Sequence, residues 1–162
     1  MAMREVLERY RDVPCDGPSH NPFKLCSTLA PPATAREILD AWPDRQLPDD
    51  AIGLWEACSS ARLFEDVEYG QWGLVLLDPK ASAARTREEV STRPTEFRDD
   101  DIVLGAFLGD LDLLVLAPSE PPARRILIAL PLDGRGEWYA PAQRLAEFLD
   151  TYLDKGGDKY WE

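Results

Sequence analysis

Across residues 99–117 the polar and apolar positions fall into a definite order. The acidic run Asp99-Asp100-Asp101 leads into Ile102-Val103-Leu104, and Gly109-Asp110 interrupts. Leu111-Asp112-Leu113 then alternates before Leu114-Val115-Leu116-Ala117 turns fully apolar. This pattern predicts two strands joined by a turn, a hairpin in a partly buried sheet. The helical counterpart is residues 142–153. There Leu145, Phe148, Leu149 and Tyr152 recur at three and four residues and give one apolar face.

The remaining pattern is read the same way. Residues 2–11 predict a short helix with Val6, Leu7 and Tyr10 on one side. Residues 12–33 hold Pro14, Gly17, Pro18, Pro22, Pro31 and Pro32, too many breakers for a regular element, with Phe23, Leu25 and Leu29 available to pin the segment down. Thr34 and Glu37 have capping-box spacing and open a helix expected to turn Ile38, Leu39 and Trp42 inward and to stop at Pro43. Leu47-Pro48 opens the next helix. Proline costs no hydrogen bond in a first turn, and Asp49 and Asp50 lie at the positive end of the helix dipole. Its apolar stripe is Ala51, Ile52, Trp55 and Cys58, and Ser59-Ser60 ends it. Residues 63–69 and 72–77 predict strands around Gly70, residues 79–90 a surface helix broken at Arg93-Pro94, and residues 125–130 a further strand. Residues 133–136 read as a turn before Trp138. The pair Tyr160-Trp161 is expected to fold back onto the body, because exposed aromatics forgo burial.

Strands dominate the middle and no βαβ alternation repeats. The expected fold is therefore α+β, a single domain with a central, mostly antiparallel or mixed sheet flanked by helices. Residues 1–31 form an N-terminal helix and Pro-rich arm in this reading, and residues 32–162 the domain proper, onto which the arm is free to pack.

Composition narrows the function. Thirty acidic against 18 basic residues give a formal charge of -12, which repels phosphate backbones and anionic lipid. Nucleic acid and membrane are therefore not the expected partners. Cys15, Cys26 and Cys58 are an odd number without a pairable framework, and no signal-like apolar run opens the chain, so the cytoplasm is the expected compartment.

Candidate chemistry is thin. His20 is the only histidine and stands beside Ser19 in the Pro-rich segment, where a Ser–His–Asp triad would have to be assembled across an arm. Cys15, His20 and Cys26 are three conceivable ligands, but their spacings of five and six residues match no tight structural-zinc knuckle. Gly105 and Gly109 lack the Lys-Ser/Thr ending of a phosphate loop. Asp110 and Asp112 share one side of a strand, where a divalent ion would make a metal-dependent enzyme conceivable. The stronger expectation is an acidic binding face with no cofactor and no metal. It gathers Glu65, Asp66 and Glu68 with Asp99, Asp100, Asp101, Asp110 and Asp112, and takes Tyr69, Trp72 and Trp138 as aromatic anchors.

Three segments resemble the SMI1/KNR4 (SUKH) superfamily. Residues 32–42 followed by Leu47-Pro48-Asp49-Asp50 and Trp55 look like its opening helix and its Leu-Pro turn into a second helix. Residues 102–105 with Gly109-Asp110-Leu111-Asp112 are similar to its Gly … Gly-Asp strand pair, and residues 142–153 to its closing helix. Ser59-Ser60 stands where the family usually has a glycine-bearing turn. The resemblance implies a non-enzymatic bacterial immunity protein that neutralises a cognate toxin by direct binding. Many such toxins are nucleases and hence basic, which suits the charge. A regulatory or scaffold domain is the alternative it implies. Neither the oligomeric state nor the toxin's identity is readable from the chain.

Overall fold

The first helix, α1 (Met3–Arg11), turns Val6, Leu7 and Tyr10 to one side, and all three are buried. In the computed structural model, which describes residues 2–15 and 23–162, α1 is packed against the far end of the chain. The Tyr10 hydroxyl donates to the carbonyl of Leu149 at 2.5 Å, and Arg9 pairs with Asp150 and Asp154. Leu149 belongs to α5 (Leu145–Asp154), whose predicted stripe of Leu145, Phe148, Leu149 and Tyr152 is buried throughout.

Between these helices the chain builds a seven-stranded sheet: β1 (Leu25–Leu29), β2 (Ala61–Asp66), β3 (Leu74–Leu76), β4 (Ile102–Phe107), β5 (Leu113–Leu116), β6 (Ile126–Ala129) and β7 (Tyr139–Ala142). Their spatial order is their sequence order, and each neighbouring pair is antiparallel. Helices α2 (Ala35–Ala41) and α3 (Asp49–Ala57) are inserted between β1 and β2, and α4 (Pro79–Thr92) between β3 and β4. The α+β expectation holds. No helix among the described residues is long and apolar enough to cross a membrane.

Alternation sorts the strands onto two buried faces. Ile102, Leu104, Leu114, Leu116, Ile126 and Ile128 join the core that α1, α3 and α5 cover. Val103, Leu113, Val115, Leu127 and Ala129 join a smaller core closed by Phe97 and Trp138. Sheets covered on both sides read as continuous apolar runs, which is what 113–117 and 126–129 look like. A bulge between Val103 and Gly105 shifts the alternation, so Phe107 rather than Ala106 faces the larger core.

Strand β3 is three residues long and stops short of Val103. Helix α4 completes that edge with side chains. The Ser82 hydroxyl donates to the Val103 carbonyl at 2.6 Å, and the Val103 N–H donates to the Thr86 hydroxyl at 2.9 Å. Both α4 residues are buried, since unpaired backbone groups inside a protein are costly. The capping box at Thr34 and Glu37 is formed as expected, with N–H···O distances of 3.0 and 3.1 Å.

Three expectations are corrected. Residues 12–33 contain a regular element, β1, because an edge strand needs partners on one side only and its breakers lie outside it. Strand β7 precedes the last helix and carries Pro141, which an edge strand tolerates. Leu39 is 53% exposed, since the short helix α2 turns Ile38 and Trp42, not Leu39, toward the core. The cysteine reading changes as well. Cys15 and Cys26 are joined as a disulfide, tying the segment after α1 to β1, and Cys58 alone is a free, buried thiol pushed up to about 11 by its burial. The Tyr160-Trp161 tail does fold back: Trp161 lies 5.4 Å from the Phe107 ring and 5.6 Å from Phe148.

Candidate functional site

Register brings two turns together at one end of the sheet. Leu74 pairs with Phe107, so the β2–β3 turn and the β4–β5 turn emerge side by side. The Leu108 N–H donates to the Gly73 carbonyl at 2.8 Å. Gly109 has a φ of +90°, and a Cβ there would collide with the Gln71 carbonyl oxygen, so the contact demands glycine on both counts.

Each turn is held by a carboxylate. Asp66, 1% exposed, accepts from the backbone N–H groups of Glu68 at 3.2 Å, Tyr69 at 3.1 Å and Gln71 at 3.1 Å. Burial works against its charge, and the three N–H donors outweigh that, holding the carboxyl below its usual range. Asp110 accepts from the Asp112 N–H at 3.0 Å, and Lys159 of the returning tail reaches both carboxylates, contacting Asp110 and lying 3.5 Å from Asp112. The Asp112 carboxyl is raised by burial first and by the charge of Asp110 second, with Lys159 opposing both. Lys159 also stands 5.7 Å from the Trp72 ring and 5.4 Å from Phe107, while the Trp72 indole N–H donates to the Gly157 carbonyl at 3.1 Å. Two hairpin turns and the tail are thereby clamped together.

Outside this clamp the surface is apolar and acidic. Tyr69 is 68% exposed, Leu111 69% and Val67 48%. Glu68 is exposed among them, and Glu65 pairs with Arg62 at 2.5 Å on the adjoining strand. Of the residues expected on the acidic face, Glu65, Asp66, Glu68, Tyr69, Trp72, Asp110 and Asp112 do meet here. Asp66 and Asp112 serve the turns from within, and Trp72 holds the tail. Sequence reasoning missed Val67 and Leu111 as exposed apolar groups, although Leu111 sits between two aspartates in a turn, a legible cue. Nothing in the local pattern marks Lys159.

Asp99, Asp100, Asp101 and Trp138 are corrected. Ile102 pairs with Leu116, so the aspartates before it lie at the opposite end of the sheet from the two turns. Asp101 is fully buried and receives the Arg135 guanidinium through two hydrogen bonds, at 2.5 and 3.0 Å, and the Arg98 N–H at 2.8 Å. Arg135 also pairs with Glu120 at 2.8 Å, and Arg98 with Glu120 at 3.2 Å. The Asp99 and Asp100 carbonyls accept from Arg45. Trp138 is buried against Phe97, ring centroids 5.0 Å apart, and its indole N–H donates to the Asp133 carbonyl.

Among the described residues no group of three or more His, Cys, Asp or Glu side chains is placed to hold a metal. Between Asp110 and Asp112 stands the Lys159 ammonium. Cys15 and Cys26 are joined to each other, and His20 lies outside the described residues. No family model and no curated protein matches the chain.

The Asp66 turn is directly testable. In Asp66→Asn the oxygen that accepts from Glu68 and Tyr69 is retained, and an NH2 faces the Gln71 N–H, so the turn should open and the Gln71 amide should exchange faster. Because the folded carboxyl sits low, its stabilising effect is present above the unfolded value of roughly 4 and is lost as pH falls through the lower folded value. Hydrogen exchange at Gln71 that is unchanged in the variant would show that this carboxylate does not close the turn.

Proposed function

We propose that this chain is a non-enzymatic protein-binding module whose docking face is the paired-turn end of the sheet. In this reading it is an immunity protein of SMI1/KNR4 type, acting in the cytoplasm against a basic toxin. The observation that carries the reading is the surface formed by Tyr69, Leu111 and Val67 with Glu68 and Asp110 around it. Exposed aromatic and aliphatic side chains on a fixed scaffold are what interface anchors require, because ordering them costs little at the moment of binding. The surrounding carboxylates and a net charge of -12 would steer a basic partner and speed its approach more than they would tighten the complex. The resemblance of residues 32–55 and 102–112 to the family supports the immunity assignment rather than a housekeeping scaffold.

The test is co-purification with the product of the adjacent gene, followed by variants of the face. Tyr69→Ala and Leu111→Ala should leave the thermal midpoint nearly unchanged, since both side chains are exposed. If they are anchors, each should weaken binding by about 2 kcal/mol or more. Glu68→Gln should slow association and leave dissociation alone. A partner bound equally well by all three variants would remove this end of the sheet from the interface, and a chain that protects against no linked toxin would remove the immunity role.

A further inference from the structure

At the other end of the molecule a cleft of about 480 Å³ opens between the start of α3 and the ends of β5 and β6. Its walls are mixed. Leu47, Pro48, Leu116 and Pro118 give one apolar side, and Gln46, Asp49, Arg125 and Arg144 bring polar groups to the rest. This volume lies in the range of small-molecule sites, which combine apolar walls with a few convergent polar groups.

Charge accounting identifies what the cleft has left to offer. Asp50 also lines it, but its carboxylate is taken. Oδ1 accepts from Arg144 at 2.6 and 2.9 Å, and Oδ2 accepts from the Leu145 N–H, the first amide of α5, at 3.1 Å. Arg125 and Asp49 are both exposed, and neither makes an ion pair with a described residue. The free groups are therefore one guanidinium, one carboxylate and the Gln46 amide. A simple anion would gain Arg125 and be repelled by Asp49 and by the net charge of the chain. A simple cation would gain Asp49 and be repelled by Arg125. A molecule carrying both charges satisfies both groups.

We infer that this cleft binds a small zwitterion of amino-acid type, its carboxylate on Arg125, its ammonium on Asp49 and its apolar side chain against Leu47, Leu116 and Pro118. A guanidinium meets a carboxylate through two parallel N–H donors, which fixes the ligand's orientation, and the leucine-and-proline wall selects an aliphatic side chain. The site is separate from the paired turns, so it stands whether or not the proposed interface does.

The experiment uses the full chain and three matched probes followed by amide and arginine Nε resonances. L-leucine carries both charges, isocaproate lacks the ammonium and isoamylamine lacks the carboxylate. L-leucine should give saturable shifts at Gln46, Leu116 and Arg125 at millimolar concentration, and each analogue should bind roughly tenfold more weakly or worse. Arg125→Ala and Asp49→Asn should each abolish the saturable shifts while the thermal midpoint stays put. Absence of saturable shifts with L-leucine overturns the proposal. So does equal affinity for isocaproate, which would make the cleft a simple anion notch, and so does undiminished L-leucine binding by either variant.

Discussion

Trp55→Ala should destabilise the protein by about 3–5 kcal/mol, a large part of the roughly 5–15 kcal/mol that holds a domain of this size together. Trp55 has no exposed surface, and its ring stacks 6.5 Å from that of Trp42. Its indole N–H donates at 2.9 Å to the carbonyl of Leu77, the residue leaving β3 for α4. Truncation leaves a cavity where α2 and α3 meet the sheet, and it removes the donor from a carbonyl that has little access to water. Trp55→Phe separates the two effects, since it keeps most of the volume and loses only the N–H, for about 0.5–1.5 kcal/mol. Denaturant unfolding of both variants gives the comparison. A Trp55→Ala midpoint equal to that of the parent would mean that the stripe of α3 faces elsewhere.

Asp101→Asn is the second large expectation, and it reverses what the acidic run suggests when read as a row of solvated charges. The change leaves the Arg135 guanidinium, itself only slightly exposed, with Glu120 as its remaining carboxylate in a site that excludes water. Removing one partner of a buried pair costs about 3–5 kcal/mol. The retained Glu120 contact places the expected value at the lower end, near 3 kcal/mol. Asp99→Asn next to it should change stability by no more than about 0.5 kcal/mol, because its side chain is in solvent. Similar small effects from the two substitutions would show that the Arg135–Asp101 pair contributes little.

The contrast between these neighbouring aspartates shows where sequence reading succeeds and where it stops. The stripe of α5, the Thr34–Glu37 capping box and the β4–β5 hairpin were legible because their evidence is local: spacing at three and four residues, a cap at fixed offset, a turn between apolar runs. Strands β1 and β7 were not, because edge strands bury little and need no strong pattern. The composition of the paired-turn face was half legible. Its carboxylates and Tyr69 stood out along the chain, but only the register of β3 against β4 brings residues 65–72 beside residues 108–112, and nothing local distinguishes that pairing from one with residues 99–101. Whether a charge is solvated depends on a partner distant in sequence. Asp101 and Arg135 are 34 residues apart, and Asp110 and Lys159 are 49 apart.

The packing of α1 against α5 also bears on the order in which the molecule can be assembled during synthesis. Because every strand pairs with the one before it, the sheet can grow as the chain emerges from the ribosome, each hairpin closing soon after it is made. Helix α1 cannot finish so early. Its tyrosine and arginine find their partners at Leu149, Asp150 and Asp154, some 139 to 145 residues later. At about 5–20 residues per second that interval is on the order of ten seconds. Throughout it, the apolar side of α1 and the larger face of the growing sheet lack their final cover. The step that commits the nascent chain to its native state is then the arrival of its last helix, and the exposed span before that arrival is when a chaperone would have the most surface to hold.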